Sequence, residues 1–294
     1  MRELKILAVV VALTLITYWG VEPYAHHQMH PHVEPADFTF SDLKEASAPV
    51  KALKGNAANG ETLVTANCTA CHSIESKGFP KIMDNASSAA AYGVTPPDLG
   101  SAGKLYNADY LASFIMDPAK TAKVSHKFVD GKVHPMPQFN WMQPQEIADI
   151  VAYLQSIAPE KMTDKEVYSD ACQRCHSIKY ADIKGKTMSA FTPNAEIKQY
   201  MGKLPPDLSQ MIRSRGHEYL ETFINNPQKH LEGTAMPRVG LTEEAQGQVI
   251  AYLEKIGDSK KDQREELGPK FLIYLVIFAV FAFLWKASKW REVH

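Results

Sequence analysis

The chain has 294 residues, which is enough for two small domains together with hydrophobic anchors. Its 32 basic and 33 acidic side chains leave a formal net charge of −1, which argues against a protein that binds nucleic acid through its charge. The charged residues are interspersed through both halves, so their pattern assigns no function to either half.

The first predicted element is an uncharged run over residues 6–21, which follows the basic residues Arg2 and Lys5. A signal peptide has this pattern, but no small-x-small cleavage site follows the run, because Pro23 stands at the minus-three position of the nearest candidate. We therefore predict a retained signal anchor over residues 1–21, which crosses the membrane.

A linker is predicted over residues 22–55, and it begins with four histidines within residues 26–32. Imidazoles so close together could bind a transition metal. A polar stretch at the membrane surface is the favoured interpretation.

Two copies of the motif Cys-x-x-Cys-His, at residues 68–72 and 172–176, contain every cysteine of the chain. This motif attaches a c-type haem: the thiols form thioethers with the haem vinyl groups, and the adjacent histidine binds the iron. Positions three and four apart share one face of a helix, so each motif can reach one porphyrin. The predicted attachment and ligand residues are Cys68, Cys71 and His72 in the first motif and Cys172, Cys175 and His176 in the second.

Two other uses of the cysteines are disfavoured. A four-thiolate zinc site would join two pairs about a hundred residues apart, which is far from the usual ligand spacing. A redox-active dithiol or structural disulfides would leave the repeated histidine unexplained.

Each motif opens one copy of a longer repeated pattern. In the same order, and at offsets of about one hundred residues, come Pro-Pro-Asp-Leu, Tyr-Leu, Phe-Ile, Met-Pro and Ala-Tyr-Leu. These begin at Pro96, Tyr110, Phe114, Met136 and Ala152 in the first copy and at Pro205, Tyr219, Phe223, Met236 and Ala251 in the second. The chain is therefore predicted to contain a duplicated domain, over residues 56–158 and 159–257, with one haem in each copy.

Each copy is predicted to open and close with a helix. Leu63 and Val64 belong to the opening helix together with the Cys68 motif, and Val167 and Tyr168 occupy the matching places before Cys172. Apolar residues recur at helical spacing in the closing helices, which we expect to start near Pro144 and to be capped by Thr242. Those apolar residues are Ile147, Ile150, Val151 and Leu154 in the first copy and Val249, Ile250, Leu253 and Ile256 in the second.

The last predicted elements are a charged linker over residues 258–270, a second span over 271–288 and a tail over 289–294. The uncharged run 271–285 is short for a bilayer core of about 30 Å, but Lys286 and Lys289 can snorkel to the surface. Basic residues precede the first span and follow the second, so the positive-inside rule puts both termini in the cytoplasm. The haem domains would then lie on the periplasmic side of the inner membrane.

With these motifs in place, each copy resembles a class I cytochrome c domain. The resemblance implies that His72 and His176 are the proximal iron ligands and that Met136 and Met236 are the distal ones. It also implies that the backbone carbonyls of Pro96 and Pro205 accept the N–H groups of the two histidines, which orients a ligand and tunes its iron.

The resemblance leaves some residues open. His134 and Met142 are rivals of Met136, while Met116, Met201 and Met211 are expected to be core side chains. The first copy has the family's glycine eight residues before its first cysteine, Gly60, but the second copy has Asp164 there. Close packing of the opening helix is therefore in doubt for the second copy. Arg174, Arg213 and Arg215 are candidates for contacts with haem propionates or surface acids.

The whole chain is thus predicted to be all-α, with tandem class I cytochrome c domains flanked by N- and C-terminal transmembrane helices. This architecture resembles the dihaem cytochrome c subunit of a bacterial cytochrome bc complex, or complex III. That resemblance implies two covalently bound c-type haems and, as partners, cytochrome b, the Rieske iron–sulfur protein and a downstream cytochrome c or terminal oxidase. On its own the chain would carry electrons and catalyse no reaction.

Three alternatives remain. A haem-bearing subunit of a cytochrome cbb-type oxidase also has two such domains, although its anchors usually precede the haems. A free-standing membrane electron shuttle would have the same sequence features. A dihaem peroxidase needs a five-coordinate haem, which the methionines in both copies disfavour.

Overall fold

The computed structural model describes residues 2–29, 33–92, 94–185, 198 and 201–293. Within these ranges the secondary structure is helical, without a strand, and three isolated β-bridges are the only extended pairings. The all-α prediction is therefore confirmed. The α-helices are α1 (Arg2–Ile16), α2 (Glu22–Met29), α3 (Lys44–Lys51), α4 (Ala57–Asn67), α5 (Asn85–Tyr92), α6 (Ala102–Leu105), α7 (Ala108–Met116), α8 (Pro118–Thr121), α9 (Pro144–Ile157), α10 (Asp164–Ala171), α11 (Met211–Arg215), α12 (His217–Asn225), α13 (Pro227–His230), α14 (Glu243–Gly257) and α15 (Lys261–Val293).

Both opening helices end just before the haem motif, so the prediction that the motif belongs to the helix was wrong. Cys68 is the C-cap of α4, and Cys172 is the C-cap of α10. The residues that follow form a turn, in which the backbone N–H groups of Cys71 and His72 donate to the carbonyl of Cys68 at 3.1 and 2.9 Å. The second motif makes the same turn. This turn keeps the two cysteines and the histidine at helix-like spacing after the helix itself has ended.

The closing helices begin where the sequence predicts. Pro144 is the first residue of α9, and Gln143 and Glu146 form a capping box around it. Thr242 caps α14 by accepting a hydrogen bond from the N–H of Ala245 at 3.2 Å. The expected apolar face is buried at Ile147, Ile150, Val151 and Leu154 in α9 and at Val249, Ile250 and Leu253 in α14, whereas Ile256 is only partly buried. Each closing helix packs against the opening helix of its own copy.

The two copies are joined through their backbones. Tyr106 pairs with Leu241 as an antiparallel bridge, and the N–H of Thr242 donates to the carbonyl of Leu105 at 2.8 Å. Gly240 makes this approach possible, because its φ is +75° and an added Cβ would lie 2.0 Å from the Tyr110 ring. These contacts join the first copy to the segment that leads into the closing helix of the second copy.

Part of the segment predicted as a linker over residues 22–55 is folded onto the two copies. Phe40 and Leu43 are buried with Tyr110 in a small hydrophobic cluster. Asp42 accepts two hydrogen bonds from the buried guanidinium of Arg238, at 3.0 and 2.9 Å. The apolar side chains that anchor the segment are isolated in the sequence, so their pattern does not reveal a folded element.

The two terminal helices are long and apolar enough to cross a membrane, and none of the residues in their apolar windows is buried. They cover Arg2–Gln28 and Lys261–Glu292, and an 18-residue stretch in each has a mean hydropathy of 2.0 and 2.2, respectively. A π-helical turn, Thr17–Val21, joins α1 to α2. The charged stretch predicted as a linker is helical from Lys261 onward, because its Glu, Gln, Lys and Arg residues favour helix.

Candidate functional site

The imidazole of His72 is held by one backbone carbonyl. Its Nδ1 lies 2.8 Å from the carbonyl oxygen of Pro97. Because a carbonyl oxygen only accepts, Nδ1 must carry the proton, which leaves the lone pair of Nε2 available to a metal. Burial lowers the pKa of His72 to about 4, although the Pro97 bond opposes this shift. At neutral pH the side chain is thus a neutral imidazole whose Nε2 can bind a metal.

The second copy repeats this geometry. Nδ1 of His176 lies 2.8 Å from the carbonyl oxygen of Pro206, and burial lowers the pKa of this histidine as well. Two neutral imidazoles with the same tautomer, each next to a pair of cysteines, form a donor set that fits a c-type haem.

The accepting carbonyls lie one residue beyond those predicted. The expectation named Pro96 and Pro205, whereas the acceptors are Pro97 and Pro206. Successive carbonyls of an extended Pro-Pro pair point in different directions, so only one of them can face the ring. The Pro-Pro pattern alone does not say which one.

In each copy an aspartate fixes the loop that carries the accepting carbonyl. Neither aspartate was among the predicted site residues. In the first copy, Asp98 Oδ2 accepts from the N–H of Glu75 at 2.9 Å. In the second copy, Asp207 Oδ2 accepts from the N–H of Lys179 at 2.9 Å and from the Ser177 hydroxyl at 2.8 Å. Each bond ties the Pro-Pro-Asp-Leu loop to the turn after the motif. The aspartate recurs in both copies of this pattern, and that recurrence was the sequence signal for its role.

None of the four cysteines forms a disulfide. Burial raises the pKa of Cys68 to about 11 and that of Cys172 to about 12, and it also raises the pKa of Cys175. Buried thiols that stay protonated at neutral pH are poor redox nucleophiles, which disfavours the dithiol alternative.

Each candidate methionine ligand packs against the core of its own copy. Met136 lies against the first core with Cys68, and Met236 lies against the second core with Cys172. Met142, one rival of Met136, is a buried core residue. The other rival, His134, has its Nδ1 3.0 Å from the Met136 carbonyl oxygen and 3.2 Å from the Met136 nitrogen. The imidazole of His134 thus contacts the backbone of Met136, the residue that it would replace as the iron ligand.

The three candidate arginines make different contacts. Arg174 Nη2 donates to the carbonyl of Thr95 at 2.8 Å, across to the first copy. Arg213 Nε lies 3.9 Å from Asp258 Oδ1. The guanidinium of Arg215 lies over the Tyr219 ring.

The histidines near the N-terminal helix form no metal cluster within the part of the chain that the structure describes. Nowhere in that part do three or more His, Cys, Asp or Glu side chains meet in a group that could hold a metal ion. His30 and His32 lie outside the described residues, so the interpretation of residues 26–32 stays a prediction.

Known proteins resemble this chain mainly in its two central copies. The family model described as cytochrome c matches residues 57–158 and again residues 165–257. A "Cytochrome c-553-like" protein of Synechocystis sp. is 28% identical over 41% of this chain and 87% of that protein. The "Ammonia monooxygenase gamma subunit" of Nitrosomonas europaea is 25% identical over 37% of this chain and 63% of that protein.

One solved structure, "Hyperthermophilic respiratory Complex III", covers 96% of this chain and 99% of its own at 18% identity. Its TM-score is 0.30, which is too low to establish a common fold.

Proposed function

Because the chain belongs to the cytochrome c family, with one family domain in each central copy, we propose that it is a membrane-anchored dihaem electron carrier. Its role would be to relay single electrons from the Rieske iron–sulfur protein of a quinol–cytochrome c reductase to a downstream cytochrome c or terminal oxidase. The observation that carries this proposal is the duplicated histidine geometry, in which both imidazoles donate Nδ1–H to a proline carbonyl at 2.8 Å.

In this proposal each haem is held by residues of one copy. Cys68 and Cys71 attach the first haem, and His72 and Met136 bind its iron. In the second copy the same roles fall to Cys172, Cys175, His176 and Met236. When bound, each haem supplies an iron that exchanges one electron, and a histidine–methionine ligand pair favours such exchange over oxygen chemistry.

The chain's own residues keep the two sites ready for electron exchange. The carbonyls of Pro97 and Pro206 fix the tautomer and orientation of the proximal histidines, so that no proton has to move at Nδ1. The backbone bridge between Tyr106 and Leu241 fixes the two copies against each other. A rigid frame of this kind limits the structural rearrangement that accompanies each electron transfer.

The terminal helices would place both copies on the periplasmic side of the inner membrane. Lys286 Nζ lies 3.2 Å from Glu3 Oε2, so the start of the first candidate span and the end of the second lie side by side. This pairing supports a hairpin with both termini on one face of the membrane. The positive charges of Arg2, Lys5 and Lys289 favour the cytoplasmic face.

The complex III assignment rests on the order of the domains, namely two cytochrome c copies followed by a C-terminal anchor. Cytochrome b and the Rieske protein would then be the partner subunits. To test it, the tagged full-length chain is extracted in mild detergent, and a reduced-minus-oxidised spectrum is recorded on what co-purifies. We expect a b-type haem band beside the c-type band, together with a Rieske iron–sulfur signal.

Two other results would contradict this assignment. A copper-containing oxidase in the same fraction, without a Rieske signal, would identify an oxidase subunit. A fraction with c-type haem alone would identify a free membrane shuttle.

A further inference from the structure

The backbone of the segment that follows Met236 is fastened to the first copy. The N–H of Arg238 donates to the carbonyl of Ala122 at 2.9 Å, and the carbonyl of Arg238 accepts from the Tyr110 hydroxyl at 2.5 Å. The backbone bridge to the first copy at Leu241 follows shortly afterwards. Both backbone groups of the second residue after the candidate iron ligand are therefore paired with the first copy.

The side chain of Arg238 is held by a third part of the chain, residues 37–51, which we call the strap. Only 2% of this side chain is exposed, and its Nη1 donates to both oxygens of the Asp42 carboxylate at 3.0 and 2.9 Å. The guanidinium also lies over the Phe40 ring, 5.3 Å from the ring centroid. Removing the carboxylate would leave a buried charge without this partner, which is costly.

The strap reaches Arg238 from a fixed position. Its helical part, α3, packs against α7 and α9 of the first copy, and Val50 is buried in the first core. At the other end of the strap, the backbone of Asp37 exchanges two hydrogen bonds of 3.2 Å with the Asn225 side chain at the end of α12. The carboxylate of Asp42 is therefore presented by a segment that is bound to both copies.

The first copy holds its candidate methionine in a different way. The residue that matches Arg238 there is Gln138, which is exposed. The backbone of Met136 is instead contacted by the imidazole of His134, a residue of the same loop. The position of Met236 thus depends in part on the strap and the first copy, whereas Met136 is supported from within its own copy.

We propose that Asp42 and Arg238 are positioning residues for the second haem site, and that this site is incomplete without the strap. The pair fixes the segment that presents Met236, so that the thioether stays within reach of the iron. This inference rests on the haem ligation in the proposed function. Loss of the pair should let the segment move away and open the iron to other ligands, while the covalent attachment through Cys172 and Cys175 is retained.

The test is a titration of the oxidised, detergent-solubilised full-length protein with imidazole, which competes with methionine for haem iron. All variants carry Met136→His, which gives the first iron two imidazole ligands. The second site alone then contributes the methionine-to-iron absorption band and the response to added imidazole. Asp42→Asn removes the charge of the carboxylate, and Asp42→Glu retains it. Glu45→Gln is the matched control, because it removes a carboxylate from an exposed position of the same strap.

For Asp42→Asn we expect imidazole to bind the second site at least about tenfold more tightly, because the ion pair no longer opposes displacement of the methionine. Asp42→Glu should show a smaller change, and Glu45→Gln should leave the affinity unaltered. An unchanged affinity in Asp42→Asn, with both haems bound, would overturn the inference. So would an equal tightening at the first site, which is measured with Met236→His in place of Met136→His.

If Asp42→Asn does not fold, Arg238→Gln decides, because it leaves no buried charge unpaired: the Asp42 side chain is 41% exposed. An unchanged imidazole affinity in that variant also overturns the inference. A methionine-to-iron band that is missing when Met136→His is the only change would instead contradict the ligation by Met236 in the proposed function, and the inference with it.

Discussion

The two copies build the same helix crossing in different ways. In the first copy, Gly60 lets the opening helix touch the closing helix, since an added Cβ would lie 2.0 Å from the Asp149 carbonyl oxygen. The second copy has Asp164 at the matching position, and the Gln248 amide there donates to the carbonyl of Met162 at 2.8 Å and to Asp164 at 3.3 Å. Backbone contact in one copy is thus replaced by a side-chain bridge in the other. The fold tolerates this exchange because the crossing only has to hold the two helices against each other.

The loop that leads to the distal methionine also differs between the copies. Met136 follows Asp117 by 19 positions, whereas Met236 follows the matching Asn226 by 10. In the longer loop the residue two before the methionine is His134, and in the shorter loop it is Thr234, whose hydroxyl accepts from the N–H of Met236 at 3.4 Å. A polar side chain at this position supports the methionine backbone in both copies, although the residue type has changed.

The largest loss of stability is expected when the close contact between α4 and α9 is blocked. Gly60→Ala places a Cβ against backbone, which cannot move aside as a flexible side chain can, so it should destabilise the protein by about 2–4 kcal/mol. The matched control is Gly247→Ala in α14, where an added Cβ meets no atom within 4 Å. There the better helix propensity of alanine should give an unchanged or higher stability. Chemical unfolding of both variants followed by circular dichroism measures the difference, and equal stabilities would contradict the account of the crossing.

The next largest loss of stability is expected when the charge of the Asp149 carboxylate, at the contact between α4 and α9, is removed. Although burial raises the pKa of Asp149, hydrogen bonds from Asn59, Asn56 and Gln145 lower it below its ordinary value overall. A carboxylate whose folded-state pKa is depressed contributes stability above its unfolded pKa, near 4, and loses it as the pH falls through the folded pKa. Asp149→Asn should therefore cost about 1.5–3 kcal/mol at pH 7, and the variant should be less sensitive to acid below about pH 4.

Gln248→Ala tests the matching position in the second copy. It removes a hydrogen bond of 2.8 Å to the Met162 carbonyl and a longer one of 3.3 Å to the Asp164 carboxylate. Because the shorter bond is to an uncharged acceptor, we expect a loss of about 1 kcal/mol that varies less over the same pH range than the loss in Asp149→Asn. Unfolding titrations between pH 2 and pH 7 on both variants and the wild type measure this. A loss in Gln248→Ala that depends on pH as strongly as the loss in Asp149→Asn, or an unaltered acid sensitivity in Asp149→Asn, would remove the proposed distinction.

The smallest loss of stability is expected at Tyr110, and the matching Tyr219 of the second copy serves as its control. The Tyr110 hydroxyl donates to the carbonyl of Arg238 at 2.5 Å, from the first copy to the second. Tyr110→Phe should cost about 1 kcal/mol, because the partner carbonyl loses a buried donor. Tyr219→Phe is the control at the same place in the second copy, where the ring stacks on Phe223 and is partly exposed. Equal losses in thermal unfolding would show that the hydrogen bond between the copies adds nothing.

The sequence predicts features that depend on local pattern. The haem motifs, the start of α9 at Pro144 and the cap at Thr242 all follow from neighbouring residues. The pairing of Tyr106 with Leu241 does not, because it joins residues far apart in the chain through backbone groups that every residue carries. The choice of Pro97 over Pro96 depends on how the loop is rotated, which Asp98 fixes through a contact with Glu75. The link from Arg174 to Thr95 was missed for the same reason, since an arginine within a motif does not indicate its partner.

The central claim is that each copy holds one covalently bound haem. The most direct test is the covalent haem content of the purified full-length chain, measured by the alkaline pyridine spectrum of the denatured protein together with its intact mass. We predict two c-type haems per chain in the wild type and one in the double variant Cys172→Ala, Cys175→Ala. One haem or none in the wild type, or haem that is lost on denaturation, would contradict the account.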